Sequence, residues 1–134
     1  MSNQTESSFW KQIKTGLSST DAICTRIENS STQGIPDLLL LDRAKDFHLL
    51  ELKVVKGNKV LLSPHQVSFA TRHKGARSWI VAKKDDTVYL YRSDQAIAVF
   101  EDGIRCPAHG TFTKPIDWSN FLTTIETRRV PLEP

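Results

Sequence analysis

A chain of 134 residues has the length of one domain, so a single core and no second domain are expected. Hydrophobic residues at 39% and charged residues at 25% exclude a disordered chain, and no apolar run approaches the roughly 20 residues of a membrane span. The 18 Lys and Arg against 15 acids leave +3, too mild to name a partner, and Cys24 and Cys106 lie too far apart for a zinc site or disulfide scaffold, which fits free thiols in a reducing cytoplasm.

The first eight residues are polar and read as a tail without a signal peptide. Ser8 is placed to cap a helix with Phe9, Ile13 and Leu17 on one stripe and Trp10 beside it, weakened at its end by Gly16 and the Ser18-Ser19 pair. A short strand over 23–28 and a polar loop over 29–34 follow. Residues 37–41 and 47–53 are apolar runs joined by a turn centred near Ala44, the pattern of a β-hairpin. Their near-continuous apolar character predicts central strands covered on both faces. Ser63-Pro64-His65-Gln66 starts a helix with a Ser cap, Pro at the first position and Gln three residues on, and Gly75 ends it. Strands are expected over 79–83 and 88–92, then a short helix capped by Ser93. A turn at Asp102-Gly103 and an irregular stretch over 107–115 come next. Asp117 then caps a last helix carrying Trp118, Phe121, Leu122 and Ile125. The order predicts an α/β (α+β) domain, a central mixed β-sheet flanked by helices. Within the one domain over 1–134, residues 9–92 form the core and 93–134 a C-terminal helical extension.

The hairpin brings chemistry together. A turn near Ala44 sets Asp37 opposite Glu51, and directly opposed residues have Cβ atoms about 4.5–5.5 Å apart. Glu51 and Lys53 are two residues apart and leave the same sheet face. Two such carboxylates repel unless a cation lies between them, and Mg²⁺ suits oxygen ligands. An ammonium beside that ion can hold an attacking water or steady charge developing on a phosphate. Plainer accounts exist for each residue: Asp37 as a turn residue, Glu51 in an ion pair with Lys53 or an Arg, Gln66 as half of a capping box. The four histidines form no ligand pair at helical spacing, which argues against zinc.

Gly34-Ile35-Pro36-Asp37, then thirteen residues, then Glu51-Leu52-Lys53, resembles the PD-(D/E)XK nuclease signature, and the order of elements over residues 9–92 is similar to that superfamily's core. Ser63-Pro64-His65-Gln66 resembles the Ser-x-x-Gln helix start of the branch holding phage and archaeal Holliday junction resolvases and the VRR-NUC domains. The resemblance implies that Asp37, Glu51 and the carbonyl of Leu52 bind Mg²⁺, with Mn²⁺ able to substitute, and that Lys53 positions the nucleophilic water with Gln66 in support. It also implies an upstream acid, with Glu28 favoured over Glu6, and a phage-like origin.

The expected function is thus a Mg²⁺-dependent endodeoxyribonuclease, structure-selective in the manner of a junction resolvase. A general DNA-degrading or end-processing nuclease, or a non-catalytic nucleic-acid-binding module, is the alternative. Basic clusters at Lys56 and Lys59, and at Arg72, Lys74 and Arg77, are expected to flank the site and contact DNA. Two-fold junction symmetry suggests a homodimer, joined through the first helix (Phe9, Trp10, Ile13) or the last (Trp118, Phe121, Ile125), though each stripe could equally pack on its own sheet, the simplest reading of the last.

Overall fold

A computed structural model describes residues 5–27 and 33–127. Helix α1 (Glu6–Leu17) is followed by strands β1 (Ile23–Arg26), β2 (Leu38–Leu41) and β3 (Phe47–Val54), helix α2 (Pro64–Arg72), and strands β4 (Ser78–Lys84) and β5 (Thr87–Arg92). A 3-10 turn over Ser93–Gln95 leads into α3 (Ala96–Asp102), a second such turn over Gly103–Arg105, strand β6 (Gly110–Thr113) and helix α4 (Trp118–Glu126). The six strands lie in sequence order in one sheet. Every neighbouring pair is antiparallel except β3 and β4, which are parallel and joined through α2. The fold is α+β, with helices on both faces of a mixed sheet, as expected from the order of elements.

Alternation along the strands builds two cores. Leu38, Leu40, Leu50, Leu52, Trp79, Val81, Val88 and Leu90 face α1 and α4, while Ile80, Ala82 and Tyr91 face α2 and α3. The stripe Phe9, Ile13 and Leu17 of α1 and Phe121, Leu122 and Ile125 of α4 are all buried in the first core. Of the two readings open for each stripe, packing on its own sheet is the one observed, and these buried side chains are not available to a second copy. Gly16, expected to weaken α1, has a packing role: a Cβ there would meet the Trp118 indole at 2.2 Å.

Three further expectations change. Thr5, not Ser8, caps α1, its hydroxyl accepting the Ser8 N–H at 3.0 Å, so the helix begins at Glu6 and the polar tail is shorter than eight residues. The stretch over 107–115 is not irregular, since Gly110–Thr113 pairs with β5 and buries Phe112. Flanking Pro107 and Pro115 mask that strand in the sequence, and the C-terminal part of the chain adds β6 to the sheet between the helices α3 and α4. No described helix is long and apolar enough to cross a membrane.

Candidate active site

The site forms where β2 leaves the sheet. The β2–β3 register ends at the Leu38–Leu50 pair, with Asp37 just before it and its carboxylate close enough to act on that of Glu51. The Asp37 backbone is divided between two strands: its N–H donates to the Leu50 carbonyl at 3.0 Å and its carbonyl accepts from Ile27 at 2.7 Å. Its side chain then takes the place of the missing ladder partner, with Oδ2 accepting the Leu52 N–H at 2.8 Å. The Leu49 and Val55 N–H groups bond to Arg77 and Lys83 carbonyls on the β4 side. Backbone groups alternate along a strand, so those of Leu52 turn to the β2 side, where Asp37 ends the pairing. Pro36, next in line, has no N–H to offer the Leu52 carbonyl.

Gly34 sets the approach of this segment. Its φ is +89°, and a Cβ there would lie 2.4 Å from the His65 carbonyl in the first turn of α2. The glycine therefore lets the 34–37 segment lie directly against the helix that carries Gln66. That helix starts as its sequence demands: Ser63 Oγ accepts the Gln66 N–H at 3.1 Å, and Gln66 Oε1 accepts the Ser63 N–H at 2.9 Å. The capping box is real, but it uses only half of the Gln66 amide. The other half, Nε2, donates to Glu51 Oε2 at 2.8 Å. Capping and carboxylate positioning are thus one arrangement rather than alternatives.

Glu51 is only 5% exposed, on the face covered by α2 and α3. Its Oε2 also lies 3.7 Å from Lys53 Nζ, while Oε1 is buried with no hydrogen-bond partner among the described residues. Burial first, and the Asp37 carboxylate second, push the Glu51 carboxyl up to about 9, against the opposing pull of Lys53. Two ways of satisfying this acid exist. It can keep a proton and share it with Asp37, or lose the proton to a cation held between the two carboxyls. The hard oxygen donors of Asp37 and Glu51 fit the second as well as the first. Among the described residues no cluster of three or more acidic, His or Cys side chains forms a full cage. A carboxylate pair is the donor set that Mg²⁺ accepts, since it keeps several waters.

Glu6, ranked below Glu28 as the upstream acid expected from the sequence, belongs to this group. The extra turn that Thr5 adds to α1 brings Glu6 Oε2 to 4.0 Å from Lys53 Nζ, and partial burial raises its carboxyl above the ordinary range. The clue in the sequence is Thr5 with an acid just after it, an alternative helix start beside Ser8. Glu28, the favoured upstream acid, lies outside the described residues.

The basic clusters separate. Lys56 and Lys59 are exposed on a tight turn three and six residues past Lys53, where Gly57 takes a φ of +65°. Arg72, Lys74 and Arg77 do not flank the site. Arg77 Nε donates to the Phe47 carbonyl at 3.0 Å, at the opposite end of β3 from Lys53, roughly 20 Å away at a strand's rise per residue. Helix α2 starts at the site and carries Arg72 and Lys74 away from it.

A second buried polar group has no signature in the local sequence pattern. His48 and Asp42 are each 1% exposed, with His48 Nε2 2.7 Å from Asp42 Oδ2. The Trp79 indole donates to His48 Nδ1 at 3.0 Å, which leaves Nε2 to carry the proton toward Asp42. Asp42 Oδ1 in turn accepts from the N–H groups of Ala44 and Asp46, so the network locks the turn between β2 and β3. His65 is exposed and His73 stacks on Phe69, with ring centroids 4.0 Å apart.

No family model and no curated protein matches the chain. A solved structure described as a VRR_NUC domain is similar to it at 20% identity and a TM-score of 0.49, covering 72% of this chain and 94% of that one.

Proposed function

We propose that the chain is a metal-dependent endonuclease acting on DNA, with Asp37, Glu51 and Lys53 at its centre. What carries this reading is Glu51, a buried carboxyl with one oxygen unpartnered, set beside a second carboxyl and a lysine at an open strand end. A purely structural ion pair with Lys53 leaves that oxygen without a partner; a cation site does not. Asp37, Glu51 and the Leu52 carbonyl would hold Mg²⁺, with Mn²⁺ as a substitute. The chemistry such an ion supplies when bound is neutralisation of charge at the phosphate and acidification of water.

The remaining roles fall to the chain's own side chains. Lys53, its ammonium between Glu51 and Glu6, holds the attacking water and donates to a phosphate oxygen as charge develops there. Gln66 fixes the Glu51 rotamer through its amide N–H. Glu6 fixes the Lys53 ammonium from the other side and serves as the upstream acid. Lys56 and Lys59 hold the DNA backbone beside the site.

A site set at an open strand end beside an exposed basic turn suits a substrate chosen by shape, such as a branch, nick or flap. Two copies would supply the paired cuts of a four-way junction, joined through a surface other than the buried stripes of α1 and α4. The test is cleavage of labelled four-way junction, flap, nicked and linear duplex DNA in Mg²⁺. Preferential cutting of branched forms is expected. Equal rates on all four would leave a general nuclease, and no cutting of any would refute the reading.

A further inference from the structure

Beside the candidate site lies a cleft of about 1000 Å³ between the β3–α2 loop and the end of α3. We propose that this cleft binds unpaired bases of the DNA substrate, stacked on Phe100 and against Leu61. The inference rests on the nuclease reading above and specifies which part of a branched substrate the protein grips.

Both residues line the cleft and are exposed where their neighbours are not. Leu61 is 66% exposed between Val60 and Leu62, which are almost fully buried. Phe100 is 55% exposed on a helix whose other side buries Ala96 and Val99. Neither exposure comes from a loose loop. The Ile104 N–H donates to the Asn58 carbonyl at 2.9 Å, and Gly103, at φ +60°, comes so close that a Cβ there would clash with that same carbonyl. The two walls are therefore pinned together, and an apolar pair is held open to water at a cost in free energy that a ligand would recover.

Charge and position identify the ligand. Lys56 and Lys59 on the loop and Arg105 on the facing wall are exposed cations, and no described acid forms an ion pair with any of them. Glu101 and Asp102 line the α3 side and repel phosphate. A nucleic-acid backbone is thus confined to the lysine side, with its bases turned to Phe100 and Leu61. An aromatic face beside a basic track is what a single strand needs, since every base has a π-face to stack. The cleft also neighbours the site through the start of α2. Ser63 lines it, and the Ser63 N–H bonds to Gln66, whose other end holds Glu51. A paired duplex keeps its bases in the stack and cannot fill such a cleft, so the feature favours substrates with unpaired nucleotides, such as a flap or a branch point.

The experiment uses the full chain in Ca²⁺, with a fluorescent single strand, a blunt duplex of equal length, and a single strand carrying 5-iododeoxyuridine for photocross-linking. The wild type is expected to cross-link at Phe100, and its preference for the single strand should fall about tenfold in Phe100→Ala and in Leu61→Ala. Ile97→Ala, equally exposed on α3 but outside the cleft, should keep both properties. Thermal melts of each variant confirm folding, which these exposed positions should not affect. Cross-links elsewhere, or an unchanged preference in both cleft variants while the wild type binds and cuts DNA, would overturn the inference and leave the nuclease reading intact. Failure of the wild type to bind or cut any DNA would overturn both.

Discussion

Replacing Glu51 by Gln should make the metal-free protein more stable. The folded state holds this carboxyl at about 9 against an ordinary 4.5, chiefly through burial. Between those two values the native state carries one proton more than the unfolded chain, so stability falls as pH rises through the window. Each pH unit costs about 1.4 kcal/mol, and the roughly 2.5 units up to pH 7 amount to about 3 kcal/mol. That is a large part of the 5–15 kcal/mol that holds a typical domain together. Glutamine keeps the shape and the Gln66 contact, since its carbonyl accepts the Gln66 amide and its NH₂ faces Asp37 as a donor. It has no proton to lose. Urea titrations followed by tryptophan fluorescence, with Trp79 buried as reporter, measure both proteins from pH 5 to 9 in EDTA. The variant should match the wild type near pH 5, exceed it by about 3 kcal/mol at pH 7, and gain further toward pH 9. Adding Mg²⁺ should stabilise the wild type and not the variant. Parallel pH profiles, or a variant weaker at every pH, would refute the burial argument on which the site rests.

Other perturbations have separate readouts. Asp37→Asn should abolish cleavage with little change in fold, checked by circular dichroism, because it removes a ligand charge and little volume. Lys53→Ala should stop cleavage while Mg²⁺ binding, followed by calorimetry, persists; loss of Mg²⁺ affinity would reassign the lysine to a structural role. Gly34→Ala should lower both the melting temperature and the cleavage rate, since the methyl group must push the 34–37 segment away from the His65 carbonyl. Lys56→Ala and Lys59→Ala should each reduce the slope of log affinity against log salt by about 1, and unchanged slopes would remove that turn from the DNA interface.

The sequence made the centre of the fold plain and its ends obscure, for physical reasons. Two apolar runs around a short polar turn have few ways to pair, and the observed Leu38–Leu50 register is the one a turn at Ala44 dictates. The Ser63–Gln66 start is a local hydrogen-bond pattern, so it too could be read locally. What local pattern cannot reveal is which of two good caps wins. Thr5 and Ser8 are both capping residues, and only packing of α1 on β3 decides that the helix begins early enough to bring Glu6 to Lys53. Strand β6 was hidden for a related reason: four residues between prolines have little periodicity, and pairing with β5 makes them a strand. The apolar stripes of α1 and α4 look the same in sequence whether they meet a sheet or a second copy. The Asp42–His48–Trp79 network depends on contacts 6 and 31 residues apart, beyond any helix or strand period.

The most direct test of the central claim is single-turnover cleavage of a labelled branched DNA by the wild type and by Asp37→Asn, each in Mg²⁺ and in EDTA. The account predicts product only from the wild type in Mg²⁺. Product in EDTA, or equal product from Asp37→Asn, would contradict it.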